Sequence, residues 1–505
     1  MTSSPYQRVG IIDLGSNTTR LIIMGYTPYH SFRLLDEVRE NVRLAEGIGE
    51  DGKLRPGPME RGVATMRLFA TLCRSNGVLR IVPTATSAVR DATNRDEFLA
   101  RVVAEAGLEM RVLSAEEEAY YGYLGVINTI ELHNAFVIDI GGGSAQVTQV
   151  NERLMTATLS RPVGALRLSG RYVKSDPISK NDYAALMAAI DAQFDGVEWL
   201  NGIAPGTTLA GIGGTIRTLA DVDMKLRNYP LDRVHGYTMT RDRIETLIEM
   251  MRGMTLKQRE DLPGINKDRA DLILAGTTVL QRLIRRGGFE RIVVGGQGVR
   301  EGLFYEQFLV GENPPVLGDI RSFSVLNLAR IHGFEAIHSA KVQELALTMY
   351  DQLGKLHGYG TAERELLAYA ATLHDIGLAV GYYDHHKHGA YLILNSALFG
   401  FSHREVVLLA LMVRYHRKGD VSIEPFASVL EPGDQQRLAR LAALLRLAEF
   451  LERRKSQIVQ QLRITIGETI RIDVEATGDA TVEIWDANRA AGLFRKAYGR
   501  EIVIA

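Results

Sequence analysis

Two apolar runs, "VGII" and "RLIIMGY", flank a polar Gly-Ser-Asn-Thr step near the start of the chain, in "RVGIIDLGSNTTRLIIMGY". Apolar runs of that length around a small polar turn predict a β-hairpin. The same grammar returns at "AFVIDIGGGSAQVTQV", residues 135 to 150. Setting Asp13 on Asp139 also sets Gly15 on Gly141 and Thr18 on Ser144, so the chain is internally duplicated with a spacing of 126 residues. Between the hairpins, apolar strands alternate with helical stretches, as in "VLRIVPTATSAVRDATNRDEFLARVVAEAG", which predicts an α/β layer. Two further apolar strands run into glycines and then a helix-like pattern, at "TLAGIGGTIRTLAD" (208 to 221) and "IVVGGQGVREGLF" (292 to 304). "VGENPPVLGD" stops regular structure with Asn-Pro-Pro. From 319 to 455, Leu and Ala recur at three- and four-residue steps, which predicts an almost wholly helical region. The tail, from about 460 to 505, alternates polar and β-branched residues and predicts a small β-rich module with one helix.

At 505 residues, with 46% apolar and 24% charged, the chain is an ordinary globular protein too long for one core. The pattern divides it at 1–128, 129–312, 313–458 and 459–505. A net charge of -1 gives no global attraction to nucleic acid or to a membrane surface. The single cysteine, Cys73, cannot form an internal disulfide, and neither a charged-then-apolar leader nor an apolar run of membrane-spanning length is present. The expectation is a cytoplasmic protein with no membrane or nucleic-acid partner. Histidine is the uneven residue: nine of twelve lie between 332 and 416.

Glycine at a strand-turn-strand lets backbone N–H groups approach and point at one anion, because no Cβ intervenes. Two such turns facing each other would grip a phosphate chain from both sides. The carboxylates at the strand ends, Asp13 and Asp139, are placed to hold Mg²⁺ (or Mn²⁺), a hard cation that bridges to phosphate. Gly213 and Gly214 offer a third turn where a helix N-terminus would face more phosphate. One glycine turn after a strand is ordinary; four, two of them with matched Asp, point to phosphate.

"IIDLGSNTTRLII", "VIDIGGGSAQV" and "GIGGTIRTLA" resemble the phosphate loops and nucleotide-side loop of the fold shared by actin, the sugar kinases and the large chaperone ATPases. With "PTATSAVRDATN" and "VLSAEEEAYYGYLGV" they resemble the exopolyphosphatase and guanosine pentaphosphate phosphohydrolase (Ppx/GppA) family, and the likeness continues at "HHKHGAYLI" and "LMVRYHRKG". The implied fold is α/β: two duplicated actin-like (ribonuclease H-like) domains, then an all-α HD-like domain and a small α+β module. In "LSAEEEAYYG", Ser114 and Glu117 form a capping-box pattern and Glu116 suits the helix dipole. The resemblance places the catalytic base on the remaining acid, Glu118, and a phosphate contact on Arg90. Ser16, Asn17, Thr18, Gly142, Gly143 and Ser144 would supply further donors to phosphate, with Asp139 as the first metal ligand and Asp13 opposite. The family usually carries Glu where this chain has Gln146; Gln keeps the reach but loses the charge, so either it acts through water or the metal rests more heavily on Asp139.

In the helical region, His338, the adjacent pair His374-Asp375 and Glu449 resemble the HD phosphohydrolase pattern, with Glu where that pattern has Asp, which implies a second divalent metal. A degenerate module without metal, or histidines contacting substrate directly, fit the same residues. "HHKHG" (385 to 389) and "RYHRKG" (414 to 419) concentrate positive and imidazole groups on expected turns, as a channel for a long polyanion would need. The leading expectation is a Mg²⁺-dependent release of terminal phosphate from inorganic polyphosphate. Hydrolysis of guanosine pentaphosphate is the nearest alternative; a sugar-type kinase or a non-catalytic sensor are more distant ones. Apolar helical ridges are compatible with a homodimer.

Overall fold

The computed structural model describes residues 6–505. They divide into two compact units: the residues up to Asn228 with Arg233–Gly318, and Tyr229–Asp232 with Asp319–Ala505. No helix among the described residues is long and apolar enough to cross a membrane.

The first unit holds two sheets of repeated design. β1 (Gln7–Leu14), β2 (Thr19–Thr27), β3 (Ser31–Glu40), β4 (Arg80–Ala85) and β5 (Arg111–Val112) are ordered β3-β2-β1-β4-β5. β6 (Ala135–Ile140), β7 (Ala145–Asn151), β8 (Leu154–Arg161), β9 (Thr208–Ile212), β10 (Thr238–Thr240) and β11 (Arg291–Val294) are ordered β10-β11-β9-β6-β7-β8. In each, three antiparallel strands lead into two parallel ones; the second sheet adds β10 at its edge. This is the duplicated actin-like arrangement.

The strands are near-continuous apolar runs because both faces are covered: Val9, Ile11, Ile12 and Leu14 all have no exposed surface. The register places Asp13 opposite Arg20 and Asp139 opposite Gln146, in each case one residue before the first strand ends. An acid at that position interrupts the apolar run only at the strand's exit, where the sheet opens onto the turn.

The second unit is built mainly on the helices Ala336–Gln352, Thr361–Leu373, His385–Asn395, His403–Tyr415 and Asp434–Leu451. β12 (Val459–Ile466), β13 (Thr469–Ala476) and β14 (Glu501–Ile504) form a three-stranded sheet whose Ile470, Ile472 and Ile502 share one core with Leu345, Leu367, Val407 and Leu444 of the helices.

Two expectations about local structure are corrected. The tail has two helices, Thr481–Ala490 and Gly492–Tyr498, because Gly492 interrupts what otherwise reads as one. "HHKHG" is not a turn but the first turn of the helix His385–Asn395. Its buried residues His385, His386, Gly389, Ala390 and Ile393 fall at helical spacing, so two of the three histidines face inward. His416, expected on a basic loop, is fully buried at the end of the helix His403–Tyr415.

Candidate active site

The turn after β1 and the turn after β6 have their peptide planes set from behind. The amides of Arg43 and Ala45, which follow β3, donate to the carbonyls of Asn17 (2.8 Å) and Ser16 (3.0 Å). At the equivalent positions of the repeat, the amides of Gly164 and Leu166, which follow β8, donate to the carbonyls of Gly143 (3.3 Å) and Gly142 (2.9 Å). In a trans peptide the N–H opposes the C=O, so drawing the carbonyls backward turns the amides of Asn17, Thr18, Gly143 and Ser144 forward. No acceptor among the described residues takes these four amides.

The two turns also meet. Gly142 lies against Asn17, and a Cβ on Gly143 would stand 2.6 Å from Ser87 Oγ and 2.8 Å from Ser16 Oγ, which are themselves hydrogen-bonded at 2.8 Å. Gly164 is tighter still, for a Cβ there would overlap the backbone of Gly142 and Gly143. Its φ of -69° suits any residue, so the cost of a substitution is one of space. Gly164→Ala is therefore expected to displace the second turn and lower the kcat/KM of whatever reaction the cleft performs on the order of 10²-fold, with the rest of the fold intact by circular dichroism.

Asp13, Asp139 and Glu118 line one cleft together with both turns. Burial pushes the Asp139 carboxyl up to about 6, against the pull of Arg217 and with the push of Asp13. Burial pushes Glu118 up to about 7, against Arg90 and with Asp139 and Asp13 adding to it. Asp13 is likewise raised by burial, and its Oδ1 has no hydrogen-bond partner among the described residues. Gly213, at φ +93°, brings the start of the helix Gly214–Leu226 against Asp139: a Cβ there would stand 2.7 Å from Asp139 Oδ1.

Four arginines line the same cleft: Arg20, Arg217, Arg269 and Arg300. Burial, and then the fields of Arg217, Arg300 and Arg269, bring Arg20 down to about 9. Arg217 and Arg269 are likewise lowered, by burial first and then by neighbouring guanidiniums, whereas Arg300, against the pull of burial, is held up by Glu301 at 3.3 Å and Glu37 at 2.8 Å. None of the four is among the residues expected from the sequence. The signals were present in Arg20 as the strand partner of Asp13, Arg217 one helical turn after Gly213, and Arg300 two residues after Gly298.

Glu118 sits on the helix Ala115–Ile127. Ser114 Oγ accepts from the Glu117 amide at 3.1 Å while Glu117 Oε2 accepts from the Ser114 amide at 2.8 Å, so the capping box forms and Glu118 turns inward. This helix crosses the helix Val299–Phe308, which carries Arg300, at backbone contact: a Cβ on Gly302 would overlap the Tyr121 carbonyl oxygen, and one on Gly125 the Gly298 carbonyl. Glycine at the crossing fixes the spacing between the two carriers.

Three expected residues stand behind the cleft wall and are not among its lining. Arg90 donates to Glu118 Oε2 at 2.8 Å and to the Leu113 carbonyl at 3.0 Å. Gln146 donates through Nε2 to Ser144 Oγ at 2.9 Å. Gly143 lies beneath the Ser16–Ser87 hydrogen bond. The remaining expected residues, Gly15, Ser16, Asn17, Thr18, Gly141, Gly142, Ser144, Gly213 and Gly214, line it.

In the second unit, His338, His374, Asp375 and Glu449 converge and are buried. Glu449 Oε2 lies 3.1 Å from both His338 Nε2 and His374 Nε2.

A sequence model of the Ppx/GppA phosphatase family matches residues 22–310, and one of Ppx/GppA phosphatase domain III matches residues 320–477. The crystal structure of the Aquifex aeolicus Ppx/GppA family member is 27% identical over 60% of this chain and 98% of its own, with a TM-score of 0.53. A crystal structure of an exopolyphosphatase from Cytophaga hutchinsonii shares the fold, at 24% identity, a TM-score of 0.56, and coverage of 60% of this chain and 98% of its own.

Proposed function

The chain belongs to the Ppx/GppA phosphatase family, and from that premise we propose that it is an exopolyphosphatase that releases terminal orthophosphate from inorganic polyphosphate. The observation that carries the reading is the cleft itself: four carboxylates (Asp13, Glu118, Asp139 and Glu301), four guanidiniums and two amide-presenting turns face one space. Ile140 and Val299 are the apolar members of its lining and no aromatic ring is among them, which suits a chain of phosphates better than a base that stacks. The same lining offers no adenine slot for a kinase. The basic turns once expected to guide a long substrate do not support the choice, since His385, His386 and His416 are buried.

Asp139 and Asp13 would hold Mg²⁺. The orphaned Asp13 Oδ1 and the raised Asp139 suit a hard cation, and among the described residues no three ligand atoms of the cleft lie within 4.8 Å of one another. A site with few protein ligands matches a cation that keeps phosphate oxygens and water in its shell. When bound, the ion would neutralise charge on the phosphoryl oxygens. The main-chain amides of both turns orient the terminal phosphates. Glu118 accepts the proton of the attacking water as the new P–O bond forms, the anhydride P–O bond breaks, and the shortened chain departs with the electron pair. Arg20, Arg217, Arg269 and Arg300 take up the charge spread over the phosphoryl oxygens. Arg90 is a positioning residue that holds the Glu118 carboxylate.

Phosphate release from polyphosphate, from guanosine pentaphosphate and from ATP with sugars tests the assignment. Faster kcat/KM on guanosine pentaphosphate, or transfer to a sugar, would overturn it. A second expectation concerns protons. Because burial holds Asp139 near 6, the proton competes with the cation below that pH. Half-saturating Mg²⁺ should fall about 4-fold as pH rises from about 5.5 to about 7, then level off. A requirement independent of pH would remove Asp139 from the ligand set.

A further inference from the structure

The second unit carries a recess of its own, about 440 Å³ in volume, between the segment that follows the helix His403–Tyr415, the helix Asp434–Leu451 and the two helices of the tail. Five cations line it: Arg417, Lys418, Arg446, Arg489 and Lys496. Asp420 is the one carboxylate of the lining, and Lys496 Nζ already holds it at 2.7 Å. Acids outside the recess do not make up the difference. Asp384 is shared between Lys418 at 3.2 Å and Lys387 at 2.9 Å, and Asp486 between Arg489 and Arg453. Among the described residues no carboxylate pairs with Arg417, which lies over the Tyr382 ring, or with Arg446.

Arg446 is the fixed point of the group. It is 7% exposed, and its Nε and Nη2 donate to the Tyr415 carbonyl at 3.0 Å and 2.6 Å, while Nη2 also donates to the Gly419 carbonyl at 2.8 Å. Tyr415 ends its helix, where carbonyls lack partners within the helix and a cation is favoured. That cap occupies one edge of the guanidinium. Nη1 is left with no acceptor among the described residues. Burial pulls Arg446 down to about 10, and Asp420 is the group that opposes it. A planar cation clamped by two carbonyls, desolvated and short of a counter-ion, is already arranged to meet an oxyanion.

Phe450 and Leu493 supply the apolar part of the lining. A bare chain of phosphates would set its oxygens against those carbons with no donor to meet them, whereas a carbon skeleton would cover them and gain from doing so. We propose that the helical unit binds a small phosphorylated organic molecule: a phosphomonoester whose head rests on Arg446 and the cations around it while its carbon skeleton covers Phe450 and Leu493. This assignment does not depend on the polyphosphate reading of the cleft in the first unit.

Trp485 is a reporter at the site, since the Arg489 guanidinium lies 4.7 Å from its ring centroid. The chain has one other tryptophan, Trp199, in the first unit. The test uses the full chain with Trp199→Phe at about 0.15 M ionic strength and follows Trp485 emission against phenyl phosphate, orthophosphate, phenol and tripolyphosphate. Phenyl phosphate is expected to saturate the signal and to bind ~10-fold more tightly than orthophosphate, with no saturation by phenol. Arg446→Met should weaken phenyl phosphate ~10- to 100-fold. Because Arg446 also caps a helix, the paired change Lys418→Met and Lys496→Met is the second arm: both side chains are exposed, so the melting curve should match the parent's while phenyl phosphate binds about 10-fold more weakly. Should Arg446→Met fail to fold, the lysine pair decides the matter. Emission unmoved by millimolar phenyl phosphate, or parental affinity in the lysine pair, would overturn the proposal. So would tighter binding of tripolyphosphate than of phenyl phosphate, which would make the recess a groove for polyanions alone.

Discussion

Glu118→Gln is expected to lower kcat for phosphate release by ~10²–10⁴-fold with KM little changed, the signature of a group that acts on the reacting proton rather than on substrate binding. Gln occupies the same volume and still accepts from Arg90, so the 2.8 Å contact behind the cleft survives while the capacity to take a proton is lost. Glu118→Ala is the poorer probe, because it strands the half-buried Arg90 guanidinium without its carboxylate. Steady-state kinetics on polyphosphate, together with equilibrium binding of the chain, separate the two effects. Normal turnover in the Gln variant would remove Glu118 from the mechanism.

Gly302→Val should be the most damaging substitution outside the cleft. The overlap it creates is with the carbonyl oxygen of Tyr121 on the facing helix, and backbone cannot swing aside as a side-chain tip would. Overpacking of that kind costs about 1–3 kcal/mol and occasionally more. Spread over a unit of this size, each kcal/mol lowers the melting temperature by about 2–4 °C. The two helices carry Glu118 and Arg300, so kcat should fall along with stability. Gly170→Ala is the matched control: a Cβ there meets nothing within 4 Å, and a helical Ala should leave the melting temperature equal or higher. Equal melting curves for Gly302→Val and the parent would refute the backbone contact.

Much of the architecture was legible because the signals were local. Apolar runs around Gly-Ser-Asn-Thr and Gly-Gly-Gly specify hairpins, and their repeat at a spacing of 126 specifies the duplication. Ser114 and Glu117 lie three apart, so their reciprocal cap could be read from spacing alone. What stayed hidden depends on partners distant in sequence. Arg269 has the same composition around it as any solvated arginine, and only the folded chain sets its guanidinium against Gly214. Arg90 was expected at phosphate, but its nearest acceptor, Glu118, is 28 residues away, at the start of the helix Ala115–Ile127. His385 and His416 read as loop residues because their neighbours Lys387, Arg417 and Lys418 are basic; the apolar spacing on the other face of each helix outweighed that local charge.

The donors that the two turns offer belong to the main chain and are tethered from the rear by Arg43, Ala45, Gly164 and Leu166. Sequence drift within the turns can therefore reshape the grip but cannot delete its valences. A surface of that sort registers tetrahedral oxyanions and is blind to what is esterified beyond them, so any preference among short, long or nucleoside-capped chains must be encoded elsewhere in the protein.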